Sequence, residues 1–420
     1  MNYKTGLNTD NMLTILKSSI STWTYLIQEF CFKRVRKIRT IDIFEFVLQL
    51  AKNRSDGAQL ILDTMYIEKN MISEHIFASS MSEARDKVVI NMWKQILDDI
   101  AKGLRTEIKT RRYFAIDGTV LALQNAKFGG KFKKTNGSYV PHGYGSMLYD
   151  IDYGFPIDVI LEPQLDERNA AIRHMEYLEA GDVVVMDRGY YSKALFEAFT
   201  NKGIHVVFRL KSNTSKNEWN SELDDIIASK DSINCRFVKY TINDTKYMLL
   251  TSLMDTELDS HDLIKTLYHK RWGIETAYGY VKDSCSLANL HGKTIEHLQQ
   301  EFYANFILFT IARIMEYHGI NKSKTHDVVG GIFKRNVLFN KTKPGKYEMK
   351  ANFKKCISLV NISLHKILSG KIDDCIDQLT ICIVSGLSPI RPDRHFKRVS
   401  ISPRNKWQHH RNMKNDIDAE

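Results

Sequence analysis

Tyr268, Arg271, Glu275 and Lys282 fall within fifteen residues of a 420-residue chain, spaced three, four and seven apart. On a helix advancing about 100° per residue, the four share an arc of roughly 60°. Leu263, Leu267, Ile274, Tyr278 and Val281 form a second stripe centred about 80° further round. One side of this predicted helix therefore packs, and beside it runs a row with one carboxylate and two cations. Glu275 and Lys282 are about 10 Å apart along the axis, too far for a salt bridge. Such a row suits a metal-binding acid flanked by groups that hold phosphates. The plain alternative is a solvated helix face with ordinary charges. Two acids upstream stand out in their own right. Asp117 closes the apolar run Tyr113-Phe-Ala-Ile and precedes Gly118-Thr119. Asp187 closes Val183-Val-Val-Met and precedes Arg188-Gly189-Tyr190. An aspartate at a strand's end is by itself most often a turn or capping residue.

The elements that must position these residues follow from pattern. Residues 1–108 read as helical, with apolar residues at helical spacing in Ile41–Ala51 and Val88–Ile100. Lys33, Arg34, Arg36, Lys37 and Arg39 form a basic run that is either a solvated face or a DNA contact. Ile72 to Arg85 reads as helix, turn, helix, the second helix capped by Ser80 or Ser82. It is a helix-turn-helix with an exposed Arg85 for a groove, or a plain helical hairpin. Strands are predicted at Tyr113–Thr119, Gly145–Asp150, Phe155–Leu161, Asp182–Met186 and His205–Leu210. The unbroken Val-Val-Val-Met run is what a strand buried on both faces looks like. Helices are predicted at Arg168–Leu178 and Lys193–Thr200, and a basic loop at Lys127–Gly137. Strand-like pieces recur at Cys235–Ile242 and Lys246–Leu253, either side of an Asn243-Asp244-Thr245 turn. Glu301–Tyr317 is an amphipathic helix, and the chain beyond about Ser323 is helical and basic. Its tail carries Arg391, Arg394, Lys397, Arg398, Arg404, Lys406 and Arg411, which either track DNA backbone or are disordered.

Tyr, two residues, Arg, three residues, Glu, six residues, Lys is the motif of a large group of bacterial insertion-sequence transposases, of the insertion-sequence-four type. This chain resembles them without gap or substitution at Tyr268, Arg271, Glu275 and Lys282, and Trp272 is also found in some members. Ile116-Asp117-Gly118-Thr119 and Asp187-Arg188-Gly189-Tyr190 resemble the family's two aspartate motifs, in the right order. The resemblance covers about Tyr113 to Tyr317. It implies an α/β chain: an RNase H-like mixed sheet with a β-rich insertion at about 212–258, flanked by helical N- and C-terminal regions. The implied domains are a DNA-binding region at 1–108, a catalytic domain at 109–322 and a C-terminal region at 323–420.

The resemblance further implies that Asp117, Asp187 and Glu275 are the catalytic, metal-binding acids of a DDE transposase. Two Mg²⁺ ions are expected, with Mn²⁺ able to substitute, because hard oxygen ligands suit such ions. Tyr268, Arg271 and Lys282, with Trp272 and Arg188 beside them, are expected on DNA phosphates or bases. The reaction implied is cleavage at the insertion-sequence ends, in some relatives through a hairpin, then strand transfer into target DNA. Partners are then double-stranded DNA, as terminal inverted repeats and target, and a second copy in a homodimer. The alternatives are a domesticated, non-catalytic DNA-binding protein and a metal-dependent nuclease without strand transfer.

Composition agrees with a nucleic-acid partner. Sixty Lys and Arg against 49 Asp and Glu give a net charge of +11 and a pI near 9.1. Hydrophobic content is 43%, enough for sizeable cores. The helix Phe302–Met315 is short for a membrane span and carries Arg313. No signal-peptide pattern opens the chain, and the six cysteines form no C-x-x-C pair. The cysteine pattern points to a reducing compartment, and the resemblance implies a bacterial cytoplasmic protein associated with the nucleoid. Trp219, in the polar stretch from Ser212, either caps the insertion or stacks on a base extruded from a bent duplex end.

Overall fold

The computed structural model describes residues 9–30, 38–51, 57–69, 75–106, 111–123, 141–164, 166–242, 244–325 and 349–391. Three strands open the central sheet: β1 (Tyr113–Ala122), β2 (His142–Asp150) and β3 (Phe155–Glu162), joined antiparallel. α6 (Glu167–His174) leads to β4 (Val183–Met186), and α7 (Lys193–Thr200) to β5 (His205–Arg209). Both of these strands run parallel to β1, with β4 in the middle. A strand flanked on both sides and covered on both faces needs apolar side chains all along its length. Accordingly Val183 and Val185 join one core, while Val184 and Met186 join the other.

The insertion does not form a separate β element. Its strands β6 (Asp225–Lys230), β7 (Ile233–Ile242) and β8 (Thr245–Thr251) continue the main sheet through an antiparallel β5–β8 pair. The order across eight strands is β3-β2-β1-β4-β5-β8-β7-β6. β6 has no sequence forecast, and the short α8 (Lys216–Asn220) lies within the polar stretch that begins at Ser212. Trp219, on α8, is half-buried against the second core, with Lys246 over its ring at 5.2 Å. The packing reading of Trp219 therefore describes this structure.

Helices α1 (Thr9–Phe30), α2 (Thr40–Leu50), α3 (Ala58–Glu68), α4 (Ala78–Arg85) and α5 (Ile90–Thr106) precede the sheet. After the sheet come α9 (His261–Lys270), α10 (Trp272–Ser284) and the long α11 (Ile295–Thr325). C-terminal to them lie α12 (Phe353–Ile362), α13 (Leu364–Leu368) and α14 (Asp373–Val384). α11 touches α1, α2, α5, β3, α12 and α14, so one core runs from Met12 to Ile383. Phe302 to Ala312 of α11 are all buried, which a helix with neighbours all round requires.

Two N-terminal expectations change. The cap of α4 is Phe77, and Ser80 and Ser82 lie inside the helix. Arg85 is buried, not exposed. Its guanidinium donates to Glu301 Oε1 at 3.0 Å, Gln300 Oε1 at 3.1 Å and the His297 carbonyl at 3.2 Å. A buried arginine satisfied by α11 fastens α4 to the core and has no free face for a DNA groove. Lys33, Arg34, Arg36, Lys37, the loop at Lys127–Gly137 and the tail beyond Arg391 lie outside the described residues. No helix among the described residues is long and apolar enough to cross a membrane. The described cysteines are free thiols.

Candidate active site

The last parallel rung between β1 and β4 joins Ile116 to Met186. Asp117 and Asp187 are the next residues on those two strands. Their side chains project with the alternation of Ala115 and Val185, toward the face that carries α10. β1 continues to Ala122 by pairing with β2 alone. Asp117 is thus mid-strand, at the point where β4 stops, and not at its own strand's end. Tyr278 of α10 donates its hydroxyl to the Asp117 carbonyl at 3.0 Å, and so docks the helix on this rung.

Glu275 comes from the first turn of α10, where a carboxylate meets the positive end of the helix dipole. The predicted single helix from Tyr268 to Lys282 is two helices meeting at Arg271. Arg271 keeps helical dihedrals of −50° and −34°, so the row of side chains carries across the junction. Arg271 is turned inward, with 5% of its surface exposed. Its Nη2 donates to Glu275 Oε1 at 2.7 Å, and its Nη1 lies 3.6 Å from Asp117 Oδ2. Tyr268 donates its hydroxyl to Asp187 Oδ1 at 2.9 Å, and Arg271 lies over the Tyr268 ring. Lys282 is half-buried, while Trp272 and Arg188 are exposed.

The two aspartates are driven apart electrically. Burial pushes the Asp117 carboxyl up to about 6, and Glu275 and Asp187 add repulsion. Arg271 and the Gly118 N–H, which donates to Asp117 Oδ1, pull the other way. Burial would raise Asp187 as well. The Arg188 backbone N–H, the Tyr268 hydroxyl, Arg271 and Arg209 together take it below its ordinary value. Burial raises the Tyr268 hydroxyl to about 12, so at neutral pH it is a neutral donor.

Three acids beside one another repel unless a cation lies among them, and here the guanidinium of Arg271 supplies that charge. The donors are all carboxylate oxygens, which fits a hard divalent ion. Among the described residues no three acidic, histidine or cysteine side chains close on one point. Glu275 instead pairs with Arg271.

Sequence reasoning missed three residues of this site. Arg209, ending β5, lies 3.9 Å from Asp187 Oδ1 and over the Tyr247 ring. A lone cation closing a parallel strand is its only signal. Periodicity places Tyr278 in the packing stripe and says nothing of its hydroxyl. Glu167 reaches Gly118 and Gly189 from α6, and only its place beside a capping aspartate marks it.

Residues 108–311 match the family model described as a transposase DDE domain. The chain is 23% identical over 286 residues to a protein of Synechocystis sp. assigned as transposase of insertion sequence element IS4SA. That match covers 66% of this chain and 82% of the relative. Among solved structures, a piggyBac transposase synaptic complex with hairpin DNA is similar with a TM-score of 0.46 at 13% identity. The likeness covers 92% of this chain and 86% of that one. Residues 108–311 thus resemble a transposase DDE domain, and the chain is similar to a transposase of the IS4 kind. It is a DNA transposase, and enzymes of this class use divalent metal ions.

Proposed function

We propose that this transposase cuts DNA at the ends of an insertion sequence and joins the freed 3′ ends to a target. Asp117, Asp187 and Glu275 are its catalytic acids and would hold two Mg²⁺ ions, or Mn²⁺ in their place. The observation that carries this reading is the pairing of acids from β1, β4 and α10 with one row of side chains: the buried Arg271 holds Glu275 at 2.7 Å and lies 3.6 Å from Asp117, and Tyr268 holds Asp187 at 2.9 Å. Divalent ions at such acids supply a nucleophile at neutral pH and stabilise the charge on attacking and leaving oxygens.

The chain's own residues do the positioning. Tyr268 orients Asp187 through its hydroxyl, and Tyr278 fixes the backbone at Asp117. Arg271 balances Glu275 and Asp117 until DNA arrives. It then offers a forked donor to a phosphate, as a guanidinium is shaped to do. Lys282 serves as a point charge on the next phosphate, and the exposed Arg188 and Trp272 line the approach. The partners are double-stranded DNA, as terminal inverted repeats and as target, with the chain acting as a homodimer in the complex. The net charge of +11 supports the sequence-independent part of that binding. The domain division is a DNA-binding region at 1–108, a catalytic domain at 109–322 and a C-terminal region at 323–420. The host's nucleoid is the proposed site of action.

The test uses the purified chain with linear DNA carrying the element's inverted repeats, a target plasmid, and Mg²⁺. Nicks confined to the repeat ends, followed by joined products, are the expected result. Cuts scattered along the DNA without joining would instead define a nuclease.

A further inference from the structure

The two edges of the eight-stranded sheet are finished differently. At β3, Tyr303 of α11 donates its hydroxyl to the Val159 carbonyl at 3.1 Å, and Gln299 donates its amide to the Leu161 carbonyl at 3.0 Å. That strand is buried from Phe155 to Leu161. β6, at the other edge, pairs with β7 alone among the described strands. The Lys239 N–H donates to the Asp224 carbonyl at 2.7 Å. Bonded pairs alternate along an antiparallel ladder, so Asp224, Ile226, Ala228 and Lys230 spend their main-chain groups on β7. Asp225, Ile227 and Ser229 turn theirs outward, and no backbone group among the described residues meets them. An edge left this way is a template for a further strand.

The side chains of β6 favour one kind of strand. Ile227 is 57% exposed at its middle, where a protected edge carries a charge or proline. Charges stand at its ends instead, Asp224 and Asp225 at one and Lys230 at the other. Asp225 is paired with Arg236 of β7, and Asp224 is exposed. Lys230 donates to the Thr214 carbonyl at 3.1 Å and lies 3.6 Å from Asp231 Oδ2. An ammonium has three donors, so these contacts leave room for an opposing carboxylate. A two-fold pairing that joins all three outward residues is centred on Ile227, with Asp225 opposite Ser229 of the second copy. That same register sets Asp224 opposite Lys230 at both ends. A shift of two residues leaves Asp225 or Ser229 facing no strand residue. Opposite charges directly across a strand pair attract, and like charges repel. A DNA phosphate would meet the carboxylates of Asp224 and Asp225 here and be repelled.

We propose that two copies of this chain join edge to edge through β6, antiparallel about a two-fold axis at Ile227, so that their sheets become one. This names the surface of the homodimer proposed above and rests on that reading. A strand pair of six residues is a small interface beside the roughly 1,200–2,000 Å² of stable complexes. The dimer of the free chain is therefore reversible and depends on concentration.

Sedimentation velocity of the full chain without DNA, over a range of concentrations, reads the pairing. Wild type should dimerise reversibly. Ile227→Lys should weaken the dimer about tenfold, because it sets two like charges side by side. Asp224→Lys alone and Lys230→Asp alone should each do the same, since like charges then face each other at both ends. Mixing these two variants should restore dimers of wild-type strength, because every facing pair in the mixed dimer is again opposite in sign. A variant that had merely misfolded gains nothing from mixing. Dimers undiminished in all three variants overturn the inference, and so does a mixture that stays monomeric. A wild-type chain that is monomeric without DNA also overturns it and leaves the edge to a strand of another protein. If two copies still assemble on a DNA duplex in either case, the homodimer reading stands through another surface. A chain that stays monomeric on the duplex as well overturns that reading too.

Discussion

Tyr268 and Arg271 direct their polar groups to the acids they flank, which sets what their removal should do. Tyr268→Phe deletes one hydroxyl donating to Asp187. Loss of one such bond costs about 1 kcal/mol of stability. Loss of a ligand's orienting partner should slow end cleavage about tenfold. Urea unfolding and single-turnover cleavage measure the two effects, and an unchanged rate would reduce Tyr268 to a packing residue. Arg271→Ala and Lys282→Ala should slow cleavage more than they lower stability. Each should also lower the slope of log affinity against log salt by about one phosphate contact. A variant with an unaltered slope makes no phosphate contact. The spacing of Tyr268, Arg271, Glu275 and Lys282 makes this row legible in the sequence, because helical periodicity alone puts the four side chains together. The inward turn of Arg271 is not legible there, because it depends on Asp117, far away in sequence, standing within 3.6 Å.

Among the elements, the strands carrying valine runs are readable because burial on both faces leaves only one kind of composition. β6 is not. Its hairpin turn is Asp231-Ser232, both at positive φ, and it lacks the glycine that usually announces such a turn. Its joining to the main sheet depends on β8 pairing with β5, a contact that no local pattern encodes. The β2–β3 connection supplies a test by pH. Asp150 is buried, and its Oδ1 accepts the backbone N–H groups of Asp152 and Tyr153. Burial, reinforced by the charge of Asp152, pushes its carboxyl up to about 7. An unfolded aspartate titrates near about 3.9. Between these values the folded chain binds more protons than the unfolded one, so this group's contribution to stability is lost as pH rises through about 7. Asp150→Asn can still accept both N–H groups and carries no such dependence. Its stability relative to wild type should rise from pH 4 to pH 8, as read by urea unfolding at each pH. A difference independent of pH would mean that Asp150 is ionised throughout.

At the scale of the molecule, α1 to α5 share one core with the sheet through α11. Removing residues 1–108 would bare the buried face of α11 and leave Glu301 without Arg85. The truncated chain should therefore unfold or aggregate. A truncated chain that melts cooperatively and still binds DNA would show that the sheet folds alone. In the sequence, the basic run at 33–39 and Arg85 of α4 both read as local charge. Only the partner helix tells that Arg85 belongs to the interior. Catalysis by Asp117, Asp187 and Glu275 is the central claim, and single-turnover cleavage of inverted-repeat ends in Mg²⁺ tests it most directly. Asp117→Ala, Asp187→Ala and Glu275→Ala should each cut at least about a hundredfold more slowly than wild type while binding the ends as tightly. Near-normal cleavage by any one of them would remove that acid from the site.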